Sequence, residues 1–543
     1  MSALVDETEC PVEWTQTDRG LATVDRRDTV LVIGAGIGGL VSAALLAARG
    51  MSVTVVEAAA GPGGKMRQVM AGGAAIDAGP TVFTLRHVFD EIFAACGSSL
   101  DAHIALTPAE ILARHAWGDD RLDLFADPAA SEAAIGAFAG ARAAAGYRAF
   151  RAEARHIFET LEAPFLRAPQ TNPLGLTWRM GWRGLTDLSR IRPYETLWSA
   201  LGDHFPDPRL RQLFGRYATY CGSSPFDCPA TLMLVAHVEA AGVWLISGGM
   251  HALAKAIEAL AIRHGAVFRY GEPVSEILVE RGRASGVRLA SGERIAARAV
   301  VCNADPAALA SGAFGQAARR AVAAQPPRGR SLSALVWCAD TPARGFPLLR
   351  HSVFFARDSA TEFAELAAGR VPADPTVYVC AQDRDATTGA GAGASERIQI
   401  IVNAPATGDT SPLSQAEIEQ CTLSMHATLR RAGLTLDLPE QATVLTTPSG
   451  FNGLFPRTGG ALYGRASHGW AASFQRPGSR TRIPGLYCAG GSTHPGAGVP
   501  MAALSGRLAV ACLLKDRAST SMSTRTAMPG GMSMRSVPTV VSA

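Results

Sequence analysis

Residues 29–57 read TVLVIGAGIGGLVSAALLAARGMSVTVVE. Val30 to Ile33 form a short all-apolar run, the pattern of a parallel strand buried on both faces. Gly34-Ala35-Gly36-Ile37-Gly38-Gly39 follows as a turn, and Leu40 to Arg49 is rich in helix formers and stopped by Gly50. Ser52 to Glu57 is a second strand, so the stretch predicts a β-α-β unit. Gly34 permits the tight turn, Gly36 lets backbone approach a diphosphate, and Gly39 lets helix and strand pack closely. The helix N-terminus adds free N–H groups and the positive end of its dipole. Glu57 stands 23 residues after Gly34, near the offset of an acid that holds a ribose; alone it would read as a surface carboxylate.

Beyond Glu57, Gly61-Pro62-Gly63-Gly64-Lys65-Met66-Arg67 supplies paired glycines and two cations, suited to a loop folded over the long diphosphate of FAD. An ordinary loop with solvated cations is the plainer reading of the same residues. Near the other end, LYCAGGSTHPGAGVPM (486–501) stops a strand at glycines and leads into a helix starting near Val499. That is a second helix N-terminus, suited to a ribityl chain or the carbonyl side of a flavin ring. His494 within it reads, taken alone, as a packed or solvent-facing imidazole.

Length, composition and charge bound the rest. The chain has 543 residues, against a soft prior of roughly 150 per domain. Lys plus Arg is 51 and Asp plus Glu 47, a net charge of +4, with 48% hydrophobic residues. Nucleic-acid binding by a strong basic field and global disorder are excluded. Ten cysteines without a CxxC pair give neither a disulfide framework nor a metal site, and fit a reducing, cytoplasmic setting. The first residues carry acids where an export leader would carry bases, and no run of 18 apolar residues appears.

The expected order is a disordered N-terminus (1–27); a first nucleotide-binding part (28–95); an Ala-rich, mostly helical insertion with scattered aromatics (96–235); a second nucleotide-binding part containing a β-meander (236–310); a sheet (311–444) interrupted by a Gly/Ala-rich loop at 386–395; a third nucleotide-binding part (445–516); and a disordered tail (517–543). The fold class is α/β: a Rossmann-like FAD-binding domain with an inserted substrate sheet and a helical, membrane-facing subdomain.

The strand-GAGIGGL start, the GPGGK loop, DAGPTVFT, GGMHAL (248–253), CNAD (302–305) and LYCAGGSTHPGAGVPMAALSGR together resemble the bacterial carotenoid desaturase family over about residues 29–515. SVFFARD (352–358), VYVCAQDRD (378–385 region), IVNAPA (401–406) and TGGALYG (458–464) are most similar to its hydroxyneurosporene desaturase branch, also called methoxyneurosporene dehydrogenases or 1-hydroxycarotenoid 3,4-desaturases. The resemblance implies FAD, an acyclic carotenoid substrate, peripheral attachment to the inner face of a photosynthetic membrane, and quinone or oxygen as electron acceptor. It implies cofactor contacts from Gly34, Gly36, Gly39, Glu57, Gly64, Lys65, Arg67, Val274, Gly490, Val499 and Met501. Lys65 stands where many relatives carry Arg, which replaces a two-pronged donor by a point charge.

Removing hydrogens from adjacent carbons needs a hydride acceptor that no side chain provides, so the flavin carries the redox step and the protein orients it. The expected course is hydride transfer from an allylic carbon to the flavin, then proton loss from a cation delocalised over the polyene. Such a cation needs no strong base, and no catalytic residue is assigned; Asp305 and His494 are candidates for polar positioning. Arg179, Arg183, Arg190 and Arg192 near Trp178, Trp182 and Trp198 suggest an amphipathic face on lipid, or else cover an ordinary core. Alternatives on the same fold are a phytoene desaturase, a polyene saturase or isomerase, or an amine oxidase. One of another class is a non-redox prenyl or lipid carrier.

Overall fold

The computed structural model describes residues 28–384 and 394–525, and of residues 182–189 and 520–525 the backbone alone. Residues 1–27 and 526–543 lie outside the described residues, as do 385–393, which carry most of the loop expected at 386–395.

The opening β-α-β unit forms as its composition dictates: strand Thr29–Ile33, helix Ile37–Ala47, strand Ser52–Val56. The helix is buried along its whole length, which its all-round apolar sequence requires. The two strands pair in parallel and recruit three more from far along the chain. The order is Val267–Arg269, Ser52–Val56, Thr29–Ile33, Ala299–Cys302, Leu486–Cys488. Segments from the three parts expected to bind the nucleotide thus build one sheet. Between them the meander Val274–Glu280, Arg283–Leu289, Arg294–Ala296 forms a small antiparallel sheet.

A second, seven-stranded sheet runs in the order Thr443–Thr446, Ser333–Thr341, Glu396–Ala404, Val377–Ala381, His351–Phe354, Ile111–Trp117, Asp120–Phe125. Its last two strands come from the window expected to be mostly helical. The alternation in RLDLF (121–125) carried that signal, but the surrounding alanines masked it. One face of this sheet packs Leu335 and Trp337 against helix Gln415–Arg431 through Cys421, Met425 and Leu429.

The last helix runs Val499–Arg525, nine residues past the boundary expected at 516. Ion pairs hold this extension: Asp516 receives Arg480 at 2.9 Å, and Arg517 meets Asp28 beside the first strand. The same helix crosses the first one through glycine. A Cβ built on Gly506 would stand 2.5 Å from the Gly38 carbonyl oxygen, and the Ser42 hydroxyl donates to that oxygen at 2.7 Å. Gly506→Ala should therefore push the helices apart and cost about 1–3 kcal/mol, read as a lowered melting temperature in thermal denaturation followed by circular dichroism.

Candidate functional site

Gly34 leaves the first strand with φ +93°, donates its N–H to the Val56 carbonyl at 2.8 Å, and so closes the turn against the second strand. The turn is fixed from the other side by Glu57. One carboxylate oxygen accepts the Ala35 N–H at 2.6 Å and the other the Ala59 N–H at 2.8 Å. Gly36 forms the N-cap of the first helix without any capping side chain, leaving the first-turn N–H groups without an intrahelical partner.

The GPGGK loop lies directly on this turn. Gly63 donates to the Ala35 carbonyl at 2.9 Å, and a Cβ on Gly64 would stand 3.0 Å from the Gly36 Cα. Asn303, at the end of strand Ala299–Cys302, wedges in from a third direction. A Cβ on Gly36 would meet its Nδ2 at 2.6 Å, and one on Gly38 its Oδ1 at 2.7 Å. Gly490 arrives from the fourth segment, its N–H bonded to Ser505 Oγ at 2.6 Å and its backbone too close to Gly38 for any Cβ between them. Asn303 Oδ1 itself is buried with no hydrogen-bond partner. Four stretches distant in sequence therefore meet at contact distances that glycine alone allows.

A cavity of about 1090 Å³ opens from this junction. Gly34, Gly36, Glu57, Gly64, Lys65 and Arg67 line it, as do Val274, Gly490, Val499 and Met501. Gly39 does not; it faces the turn, where a Cβ would strike the Gly34 carbonyl oxygen at 2.1 Å. Val499 and Met501 enter on the first turn of the last helix. Lys65 Nζ donates to the Leu462 carbonyl and lies over the Phe455 ring, while Arg67 donates to Thr446 Oγ1 at 2.8 Å. Burial holds the Lys65 ammonium below its usual range.

Arg476, which the sequence did not single out, is 4% exposed, lines the same cavity, and donates only to backbone carbonyls, those of Tyr463 at 2.8 Å and Arg465 at 2.6 Å among them. Among the described residues neither Lys65 nor Arg476 forms an ion pair with a carboxylate. Buried Arg476 and half-buried Lys65, neither in an ion pair among the described residues, with an uncapped helix start and a cradle without Cβ atoms, are a donor set that fits an anionic diphosphate group.

Two further motifs are explained by the scaffold. Asp77 of DAGPT is 5% exposed and caps helix Met250–Arg263, accepting the Met250 N–H at 2.5 Å. Gly249, at φ +85°, has no room for a Cβ beside that carboxylate. His251 Nδ1 contacts the Met66 carbonyl at 2.7 Å and so fixes the GPGGK loop.

The polar candidates from the sequence are structural. Asp305 caps helix Pro306–Ser311 through the Ala307 N–H at 2.8 Å and accepts the Ser492 hydroxyl at 2.5 Å. His494 is 1% exposed and lies outside the cavity wall, edge-on to Phe165 at 4.8 Å, with Nε2 against the Phe165 and Ala168 carbonyls at 2.9 and 3.0 Å. Burial pushes its pKa down to about 4, so it is a neutral packing residue at neutral pH. Of the expected basic stripe, Arg192 is engaged by Glu195 at 2.7 Å and by Asp203, and Arg179 by the Pro169 carbonyl at 2.8 Å. The side chains of Trp182 and Arg183 lie outside the described residues.

Beyond the glycine junction the cavity turns apolar. Its floor is the free face of the seven-stranded sheet. Val336, Ile401, Tyr378 and Val353 form one register row across four adjacent strands, and all four line the cavity. Their side chains share a face because strand residues alternate with period two. The roof is helical, with Leu161, Phe165, Leu232, Val235 and Val238. Two buried polar groups interrupt this wall. In one, Arg216 Nη1 donates to the Tyr220 hydroxyl at 2.6 Å and that hydroxyl to Glu239 at 3.2 Å, while Arg216 Nε and Nη2 form no hydrogen bond and Nη2 stands 3.7 Å from Glu239. Glu362, 3% exposed, accepts from the Thr376 N–H at 2.9 Å and hydroxyl at 2.7 Å, and burial raises its pKa to about 7.

The raised value has a definite sign. Between the ordinary 4.5 and about 7 the folded protein keeps the Glu362 proton and the unfolded chain releases it, so stability falls as pH rises through that window. Glu362→Gln removes this dependence, and its melting temperature relative to the parent should be higher at pH 8 than at pH 5; equal differences at both pH values would contradict the burial argument.

The sequence profile of the family described as flavin containing amine oxidoreductase matches residues 37–514. The chain is 53% identical over 517 residues to a hydroxyneurosporene desaturase of Rubrivivax gelatinosus, covering 95% of this chain and 98% of that protein. It is 46% identical to a hydroxyneurosporene desaturase of Cereibacter sphaeroides, covering 91% and 98%. A zeta-carotene-forming phytoene desaturase of Myxococcus xanthus is 30% identical over 92% of this chain and 96% of its own. Among solved structures, an oxidoreductase from Methanosarcina mazei aligns with a TM-score of 0.54 at 16% identity, covering 90% of this chain and 100% of its own. A putrescine oxidase bound to putrescine aligns at 0.52 and 14%, covering 91% and 99%.

Proposed function

The chain belongs to the flavin-containing amine oxidoreductase family and, within it, to the carotenoid desaturases, and from that premise we propose that it is an FAD-dependent desaturase of an acyclic carotenoid with an oxygenated end group, hydroxyneurosporene or a close relative. The observation that carries this reading is the single cavity that begins at the glycine junction and continues over an apolar sheet face. A cofactor and a polyene held in one such space have their reacting atoms in contact, out of water.

FAD, when bound, accepts the hydride that leaves the substrate. The chain's part is to hold and orient. Gly34, Gly36 and Gly64 open the cradle to a diphosphate, Lys65 and Arg476 neutralise negative charge, and Glu57 has lone pairs left for ribose hydroxyls. Gly39 serves the same end indirectly, by closing the turn. Val274 would hold the adenine side, and Gly490, Val499 and Met501 would hold the ribityl chain and ring. The apolar floor and roof exclude water and seat the polyene by dispersion and burial. Among the described residues of the wall, Glu57, Glu239, Asp305 and Glu362 each accept hydrogen bonds from the fold, which suits proton loss from a delocalised cation that needs no strong base.

The substrate comes from a lipid surface in this reading. No helix among the described residues is long and apolar enough to cross a membrane. Instead large apolar side chains are exposed at or next in sequence to residues that line the cavity: Leu174 is 82% exposed and follows the lining Pro173, Trp178 is 66% exposed and follows the lining Thr177, and the lining Tyr194 and Trp470 are 79% and 46% exposed. Tyr194 and Trp470 contact each other at 5.5 Å and both line the cavity. A patch of this kind, continuous with an apolar chamber, fits insertion into the headgroup region of the inner leaflet. Leu174→Glu with Trp178→Glu should lower co-sedimentation with liposomes by tenfold or more while leaving the flavin absorbance of the purified protein unchanged.

The flavin-loaded protein in liposomes should convert hydroxyneurosporene to a product two hydrogens lighter with a red-shifted absorption spectrum. Gly36→Val should lose flavin absorbance while keeping its far-ultraviolet circular dichroism. Flavin-loaded protein that converts no carotenoid but oxidises amines would overturn the assignment.

A further inference from the structure

The apolar floor of the cavity carries one amide with nothing to bond. Asn403 lies on strand Glu396–Ala404, two residues from Ile401 and therefore on the same, cavity-lining face. Its side chain forms no hydrogen bond among the described residues; Gln399, four residues before on the same face, donates its Nε2 to the Gly79 carbonyl at 3.0 Å and leaves only its Oε1 without a partner. Asn403 pairs with Ala334 on one side. On the other, continuing the Val377–Val402 register by one residue sets Thr376 beside it, at the short Cβ spacing of directly opposed residues. Thr376 is the residue that holds Glu362, and both line the cavity. Ser359, one helical turn before Glu362, is 8% exposed, lines the cavity too, and has a hydroxyl without a partner.

Asn403 is half-buried, so its amide is open to a ligand that enters the cavity. A C40 hydrocarbon chain has nothing to offer it; an oxygenated end group does. The position suits such a group. Leu332, next to the strand that flanks Asn403, accepts the Leu462 N–H at 3.2 Å, and the Leu462 carbonyl receives Lys65. Asn403 thus lies on the side of the floor toward the GPGGK loop, in the cavity into which the cofactor cradle opens; the 3,4 bond is two carbons from the oxygen at position 1, so holding that oxygen fixes where the reacting bond sits along the cavity.

Resting on the desaturase reading above, we propose that Asn403 is the specificity-determining residue that recognises the substrate's terminal oxygen, its Oδ1 accepting from a hydroxyl and its Nδ2 donating to the oxygen of either a hydroxyl or a methyl ether. Glu362 and Ser359, placed through Thr376 and the start of helix Ser359–Ala367, keep the surrounding wall polar enough to admit that oxygen. The amide is suited to both end groups because it offers a donor and an acceptor at once.

The test compares kcat/KM for hydroxyneurosporene, its methyl ether and neurosporene, in liposomes, with flavin absorbance as the check on folding. Asn403→Leu should lower the ratio of hydroxyneurosporene to neurosporene turnover by tenfold or more, mostly through the oxygenated substrate. Asn403→Asp, ionised and without a donor, should keep the alcohol and lose the ether, and it carries the test alone if the leucine variant binds no flavin. Unchanged ratios in flavin-loaded Asn403→Leu or Asn403→Asp overturn the assignment of Asn403 and leave the desaturase reading intact. Parent protein that turns over none of the three carotenoids overturns that reading, and this inference with it.

Discussion

Backbone can pass backbone at van der Waals distance only where no Cβ stands between, and the whole architecture depends on four segments doing so at one point. Gly36 and Gly38, Gly64, and Gly490 are each closed to a side chain by a neighbour from another part of the chain. Asn303 is the neighbour common to Gly36, Gly38 and Gly490, its carboxamide filling the space that three absent Cβ atoms leave. This junction joins the first, second and last thirds of the sequence. It is why a chain with two large insertions closes one five-stranded parallel sheet, and why the cavity has an end that is polar and shaped rather than merely deep.

Much of this was legible in the sequence because glycine carries its physical reason with it. The β-α-β unit, the second loop and the helix starting at Val499 could be read from strand-turn-helix order and glycine placement, and ten of the eleven residues expected at the cofactor line the cavity. Gly39 differs because one glycine motif serves two needs, approach to a ligand and closure of the turn, and spacing does not separate them. Asn303 and Arg476 escaped notice for a related reason. An asparagine after a strand or an arginine in a loop has no periodic signature, and its importance lies in what folds against it. The CNAD motif was visible as a string, but its working residue emerges only when Gly36, Gly38 and Gly490 surround it.

The strands Ile111–Trp117 and Asp120–Phe125 show the opposite limit. Their alternation was present, but an alanine-rich neighbourhood suits helix, and the deciding influence was the edge of a sheet supplied mostly by residues beyond 330. Local preference loses to tertiary pairing wherever an unpaired strand edge stands ready to be extended. Likewise the tryptophans and arginines of the helical insertion suggested a cationic face. The fold pairs Arg192 with Glu195 and Asp203 and leaves Trp178 and Arg190 exposed, so only part of the expected cationic stripe faces outward.

The two halves of the cavity are built by opposite strategies. At the glycine junction polarity is supplied by backbone and by cations whose counter-charge must come from outside. Over the sheet, polarity is sparse: Arg216, Tyr220 and Glu239 are linked to one another, Gln399 donates to Gly79, and Val336, Ile401, Tyr378 and Val353 present a row of rings and methyls. On such a wall a half-buried amide without a hydrogen bond is a polar point that packing alone does not require, because leucine, a side chain of similar size, would fill the same place. The unbonded amide of Asn403 is therefore better explained by a ligand oxygen than by the fold, and its place beside Ala334, near the strand that leads to Leu462 and Lys65, keeps that oxygen inside the cavity that the cofactor cradle opens into.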